Sequence, residues 1–289
     1  MTKLGPVSGS GETESSLAAP PHNLLLRIVS AVVMAPAAVF IAWLGDWPFA
    51  VFWAVAAIAV LWEWLTLVAG PRYPLMLASS ALAIAIAGLV AWRHRPVTAI
   101  LVVGLGAIGA AIFAPRERRF WITAGIGYAG VLLLAPILLR ADVDYGLPAI
   151  LLLFVIVWST DVLAYFAGRA IGGPKLAPMI SPKKTWSGAI IGTIGAVLVA
   201  IAAADFLGGF NKGTIAAVAL LLSVMTQLGD LLESWLKRRF GAKDASHLIP
   251  GHGGVMDRLD GFWAAALTGC IVGIFRGGFD NAARGLLVW

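Results

Sequence analysis

Charge is what this sequence most lacks: Asp, Glu, Lys and Arg together make up 12% of its 289 residues. Ordinary soluble domains carry roughly 25%, so a soluble globular enzyme is excluded, as are a disordered chain and a basic, polar nucleic-acid-binding domain. Cysteine is nearly absent as well. The single Cys270 forbids an intramolecular disulfide, and the four histidines do not join it in a cluster of the zinc or haem kind. The chain is 60% apolar, with a mean hydropathy of +0.89. The chain reads as an all-α, polytopic integral membrane protein.

A helix needs about 20 mostly apolar residues to cross the hydrocarbon core. Nine runs approach that length, at roughly 25–44, 49–69, 74–92, 97–114, 120–139, 147–168, 187–206, 213–233 and 261–279. Pro, Gly and charged residues separate them, as at Asp46–Pro48, Arg93–Pro96 and Pro115–Arg119. Residues 1–23, rich in Gly, Ser and Pro, read as a disordered cytoplasmic tail without the order of a cleavable signal peptide. Residues 24–140 then form the N-terminal transmembrane helices, and 141–289 the C-terminal ones with the site. Two longer polar interruptions fall in the second group, at 169–186 and 234–260.

Lys and Arg set the expected orientation. With a cytoplasmic N-terminus, that side holds 15 of the 21 basic residues and the opposite side 6, as the positive-inside rule requires. Both polar interruptions then face the cytoplasm. The net charge of +6 needs no nucleic acid to explain it; cytoplasmic loops, anionic lipid or nucleotide phosphates suffice. The lack of a targeting segment favours a bacterial inner membrane.

Within the runs, Gly188/Gly192 and Gly269/Gly273 are spaced for close helix packing. Tryptophans near run ends, among them Trp43, Trp47, Trp62, Trp64, Trp92 and Trp121, read as an interfacial belt. An ionisable residue at membrane depth is a functional hypothesis by default. Glu63 sits inside the second run, where pairing with Arg27 is the structural reading. Asp161 shares a helical face with Tyr165 and Arg169.

The richest stretch is 226–260. Asp230, Ser234 and Lys237 stand at i, i+4 and i+7, so one helical face carries a carboxylate, a hydroxyl and an ammonium. Gly251, Gly253 and Gly254 let backbone N–H groups approach phosphate oxygens. Lys237, Arg238 and Lys243 can neutralise a triphosphate, and Asp230, Asp257 and Asp260 supply the hard oxygens that Mg²⁺ prefers. Nucleotide chemistry at a membrane edge is the reading.

This stretch resembles the signature of the phosphatidate cytidylyltransferases, or CDP-diacylglycerol synthases. The matching residues are Ser234, Leu236, Lys237, Arg238, Lys243, Asp244, Ser246, Ile249, Pro250, His252, Gly253, Gly254, Val255, Asp257, Arg258, Leu259 and Asp260, with no departure. The likeness extends to Asp161–Gly168 and Ser181–Gly188. It implies transfer of CMP from CTP to phosphatidic acid, giving CDP-diacylglycerol and pyrophosphate. Asp230 and Asp257 would bind Mg²⁺, with Asp260 as third ligand or support and a second cation beside them.

Lys237, Arg238 and Lys243 would hold CTP phosphates, with Ser234 nearby and Gly253 and Gly254 forming the turn. His252 would contact phosphate or protonate the leaving group, and Arg258 would pair with carboxylates or face lipid phosphate. Lys183, Lys184 and Asp161 complete the substrate-binding set. The family resemblance and the small-residue faces are compatible with a homodimer. Three other readings are an ion-coupled transporter, a CTP-dependent lipid kinase and a membrane scaffold. The first places ionisable groups at the midplane rather than one edge, the second breaks the signature, and the third leaves the Lys/Asp/Gly loop unexplained.

Overall fold

A computed structural model describes residues 21–69, 74–246, 248–249 and 253–289, with 21–31 described by backbone alone. The described residues are helical almost throughout. The helices are α1 (Pro21–Leu44), α2 (Asp46–Ala69), α3 (Pro74–Trp92), α4 (Pro96–Phe113), α5 (Arg119–Arg140) and α6 (Gly146–Ile171). A hairpin of β1 (Lys175–Ala177) and β2 (Ser181–Thr185) follows, then α7 (Trp186–Leu207), α8 (Lys212–Arg239), α9 (Met256–Gly277) and α10 (Ala282–Leu287). Among the described residues eight helices, α2 to α9, are long and apolar enough to cross a membrane. The expected first run, 25–44, is α1, whose described apolar part is Val32–Leu44. Of the expected tail 1–23, all but 21–23 lie outside the described residues, and those three begin α1.

Local chemistry sets the boundaries that matter for the site. Thr185 caps α7 by accepting the Gly188 N–H at 3.2 Å, and Asn211 caps α8 through Thr214 at 3.1 Å. The 28 residues of α8 span about 42 Å, more than the roughly 30 Å of a hydrocarbon core. Its last turn, Lys237–Arg239, is basic, as suits a helix C-terminus. The interruption 169–186 holds more order than its sequence shows. There β1 and β2 pair antiparallel, with Lys175 opposite Thr185 and Ala177 opposite Ser181.

Small residues let the helices of the second half meet closely. A Cβ on Gly188 would stand 2.6 Å from the Ala164 carbonyl oxygen, and one on Gly192 would stand 2.8 Å from the Ala164 Cβ. These two glycines therefore seat α7 on α6, the packing expected of them. At the crossing of α8 and α9, a Cβ on Gly229 would stand 2.5 Å from the Asp260 carbonyl oxygen, and one on Gly261 2.7 Å from Thr226. That close approach brings the C-terminal end of α8 beside the N-terminal end of α9.

The first half of the chain backs this arrangement. Trp53 of α2 stacks on Phe262 of α9 at 4.8 Å between centroids, and Tyr128 of α5 stacks on Trp263 at 4.3 Å. Trp263 also donates from Nε1 to the Tyr128 carbonyl at 2.9 Å. Trp43 and Trp47 are exposed, as an interfacial belt requires, but Trp64 is buried and donates to the Trp121 carbonyl at 2.8 Å. Proximity to a run end did not decide its place; the gap left by Gly125 did, since a side chain there would collide with the indole. On the outside, α4 shows Leu101, Leu105, Ile108 and Ile112, a face suited to acyl chains.

Candidate active site

One cavity of about 860 Å³ opens where α6 and α8 end, α9 begins and the hairpin folds over. That volume is at the upper end for pockets that enclose a small ligand. From α6 it takes Asp161, Tyr165 and Arg169; from α8, Gln227, Asp230, Glu233 and Lys237; from α9, Asp257, Arg258 and Asp260. The hairpin adds Lys175, Lys183 and Lys184, and the loop after α8 adds Asp244. Lys237 stands seven positions after Asp230, two turns along one face, which is why a sequence spacing becomes a wall.

The carboxylates of Asp161, Asp230 and Asp260 lie close enough to repel one another. The Lys184 ammonium is ion-paired with Asp230, the two side chains being 26% and 33% exposed. Both can exchange partners with solvent or ligand. The Ser234 hydroxyl donates to Asp230 Oδ1 at 3.3 Å and orients that carboxylate. Below the carboxylates a polar seam runs between the helices. Gln227 donates to Thr193 at 2.8 Å, and the hydroxyls of Thr193, Ser223 and Thr160 link in turn at 3.3 and 2.8 Å.

Lys237 and Asp257 form a second cluster. Lys237 Nζ lies 2.5 Å from Asp257 Oδ1 and 2.7 Å from Glu233 Oε2. Asp257 also accepts the Gly254 N–H at 2.7 Å and the Ala245 N–H at 3.1 Å. It thereby closes the loop onto the first turn of α9, where a carboxylate suits the helix dipole. Glu233 is buried, with its carboxylate held against the Lys237 ammonium. Sequence reasoning passed over it, although its i, i+4 spacing to Lys237 is a signal that could have been used.

Arg238 donates to the Ala242 carbonyl at 3.0 Å and ties off α8, and Lys243 is exposed in the loop that follows. Gly253 has φ +82°, a conformation that favours glycine, and its carbonyl accepts the Ile249 N–H at 2.8 Å. Gly254 makes room for Glu63 of α2, from whose Oε1 a Cβ would be 2.7 Å away. His252 lies outside the described residues. So does the side chain of Arg27, while Glu63 accepts from Ser246, Val255 and Met256. Arg169 donates to the Tyr165 hydroxyl at 3.1 Å, so the face shared with Asp161 is maintained.

The donor set suits a hard divalent cation in part. Among the described residues no three acidic, His or Cys side chains stand together as a finished metal site. Mg²⁺, however, is usually held by one or two carboxylates and completed by substrate phosphates and water. Asp230 and Asp260, with Asp161 beside them, offer such a pair. The cavity lining also has as many acidic as basic side chains, six of each. Polyanionic ligands would therefore need added positive charge, and a divalent cation fits.

Residues 25–275 match the model of the Cytidylyltransferase family. The chain is 42% identical over 247 residues to a phosphatidate cytidylyltransferase of Brucella abortus, covering 84% of this chain and 91% of that one. It is 36% identical over 275 residues to the Haemophilus influenzae protein of the same name, covering 83% and 94%. A shorter match, 46% over 119 residues, joins it to the Rickettsia felis phosphatidate cytidylyltransferase, at 38% and 52% coverage. With its helices, its cavity and these likenesses on one chain, the protein belongs to the cytidylyltransferase family.

Proposed function

We propose that the protein transfers the cytidylyl group of CTP to phosphatidic acid, releasing pyrophosphate and leaving CDP-diacylglycerol in the membrane. The observation that carries this reading is the cavity itself. It joins carboxylates of three membrane helices to the lysines of a polar hairpin, in a chain whose full-length relatives bear that name. A phosphate oxygen of the lipid attacks the α-phosphorus; the bond to the β-phosphate oxygen breaks and pyrophosphate departs. The phosphate monoester is already ionised near neutral pH, so the chain needs no strong base and no covalent nucleophile. Its tasks are to bring two anions together and to hold them in line.

Lys184 and Lys183 on the hairpin and Lys237 on α8 are the cations for these phosphates, and Arg258 serves the same side of the cavity. Asp230 and Asp260 would hold Mg²⁺, with Asp257 and Asp161 within the same lining. Bound there, the ion supplies positive charge to the phosphoryl oxygens of substrate and leaving group. Asp257 has the additional task of holding Lys237 and the loop amides.

The proposed setting is an inner membrane with the N-terminus and the cavity on the cytoplasmic side. The 15-to-6 split of basic residues supports that orientation, and CTP is a cytosolic substrate. One experiment tests reaction and orientation together. Inverted membrane vesicles containing the protein and phosphatidic acid receive CTP labelled at either the α- or the γ-phosphate. The α-label should enter lipid and the γ-label should leave as pyrophosphate, and right-side-out vesicles should give neither product. Lipid labelled from the γ-position would identify a CTP-dependent kinase instead.

A further inference from the structure

Glu63 belongs to the half of the chain without signature residues, yet it is fully buried against the signature loop. Oε1 accepts from the Ser246 hydroxyl at 2.6 Å and from the Val255 N–H at 2.8 Å. Oε2 accepts the Met256 N–H at 2.6 Å. Val255 and Met256 open α9, where the first amides have no acceptor within the helix. Ser246 lies well inside the connection from α8 to α9. One carboxylate on α2 therefore ties that part of the loop to its end, across 183 to 193 residues of sequence.

The anchor is rigid. Its neighbours Val60, Leu61 and Trp64 are buried in the core, which fixes the turn of α2 that carries Glu63. The contact is also tight, since a Cβ on Gly254 would stand 2.7 Å from Oε1 and 2.9 Å from Oε2. The second glycine of the Gly253–Gly254 pair is thus required by this carboxylate, whatever phosphate the loop meets. Asp257 grips the same loop from within through the amides of Ala245 and Gly254. What Glu63 fixes, Asp257 inherits, and with it Lys237 and the next turn bearing Asp260.

We infer that Glu63 is a positioning residue for cytidylyl transfer: its carboxylate holds Ser246, Val255 and Met256 where they place Asp257, Lys237 and Asp260 around the substrates. This rests on the proposed activity, but the hold on the loop can be read without it. Glu63→Gln keeps the side-chain volume and turns one acceptor into a donor facing backbone donors. Turnover with CTP and phosphatidic acid should fall about 100-fold, as for a catalytic group displaced by an ångström. The thermal transition of the bundle should stay near the parent's, while amide hydrogen exchange rises in residues 245–256.

A second comparison uses Gly254. Gly254→Ala alone should cost activity by crowding Glu63. In a Glu63→Ala background, where that space is open, the same change should add no further loss. Parent-like turnover and exchange in Glu63→Gln would overturn the inference, as would independent, multiplying losses in the double variant. Unfolding of the whole bundle in Glu63→Gln, rather than of the loop, would overturn it too. If the parent protein itself labels no lipid, the proposed activity has failed, and the exchange measurement still decides whether Glu63 holds the loop.

Discussion

Asp230→Asn is expected to reduce lipid labelling from CTP by about a thousandfold or more, in protein that extracts and migrates as the parent does. Asparagine keeps the shape and removes the charge. Asp230 is the carboxylate that Asp161 and Asp260 both approach and that Lys184 and Ser234 both contact. Its loss removes a proposed metal ligand and leaves Lys184 without its partner. Folding should survive, because Asp230 and Lys184 are each about a third exposed or slightly less and water can replace either partner. Magnesium dependence gives the second readout: the variant should need far more Mg²⁺ for whatever activity remains. Parent-like turnover at ordinary Mg²⁺ would remove Asp230 from the site.

Lys237→Met should do damage of a different kind. The methionine fills most of the lysine stem's volume but strands two carboxylates, Glu233 at 1% side-chain exposure and Asp257 at 9%. Removing one partner of a buried ionic cluster costs about 3–5 kcal/mol. The expected result is a marked drop in thermal stability together with loss of turnover. A companion change separates the two effects. Glu233→Gln added to Lys237→Met removes the more deeply buried charge and should restore much of the stability without restoring activity. Recovery of both would make Lys237 a structural cation only. Loss of neither would show that the cluster carries no weight.

How much of this was legible in the sequence depended on the distance over which each signal acts. The helices were legible because composition alone sets them: long apolar runs bounded by Pro, Gly and charge. Asp230, Lys237, Asp257 and Asp260 were legible because helical spacing places them on one face or one turn. The hairpin was not. Its strand Ser181–Thr185 reads Ser-Pro-Lys-Lys-Thr, which has neither alternation nor an apolar face, and only its pairing with Lys175–Ala177 makes it a strand. Trp64 was misplaced because a tryptophan near a run end fits a belt equally well until its neighbour Gly125 is seen across the bundle.

Glu63 shows the limit most plainly. Inside an apolar run it asks for a partner, and the only candidate that sequence offers is a nearby charge such as Arg27. Its partners among the described residues are a hydroxyl and two backbone amides at the far end of the chain. Backbone N–H groups carry no sequence signature, so that contact exists only in three dimensions. The same is true of contacts within the stretch. Ser234 donates to Asp230 and Gly254 lies against Glu63, pairings that residue spacing does not reveal.

The most direct test of the central claim is label transfer by detergent-purified protein supplied with α-labelled CTP, phosphatidic acid and Mg²⁺, with each omitted in turn. The account predicts a labelled lipid that migrates as CDP-diacylglycerol only when all three are present, and none after chelation until Mg²⁺ is returned. Protein that is folded and binds CTP, yet makes no such lipid from the complete mixture, would contradict it.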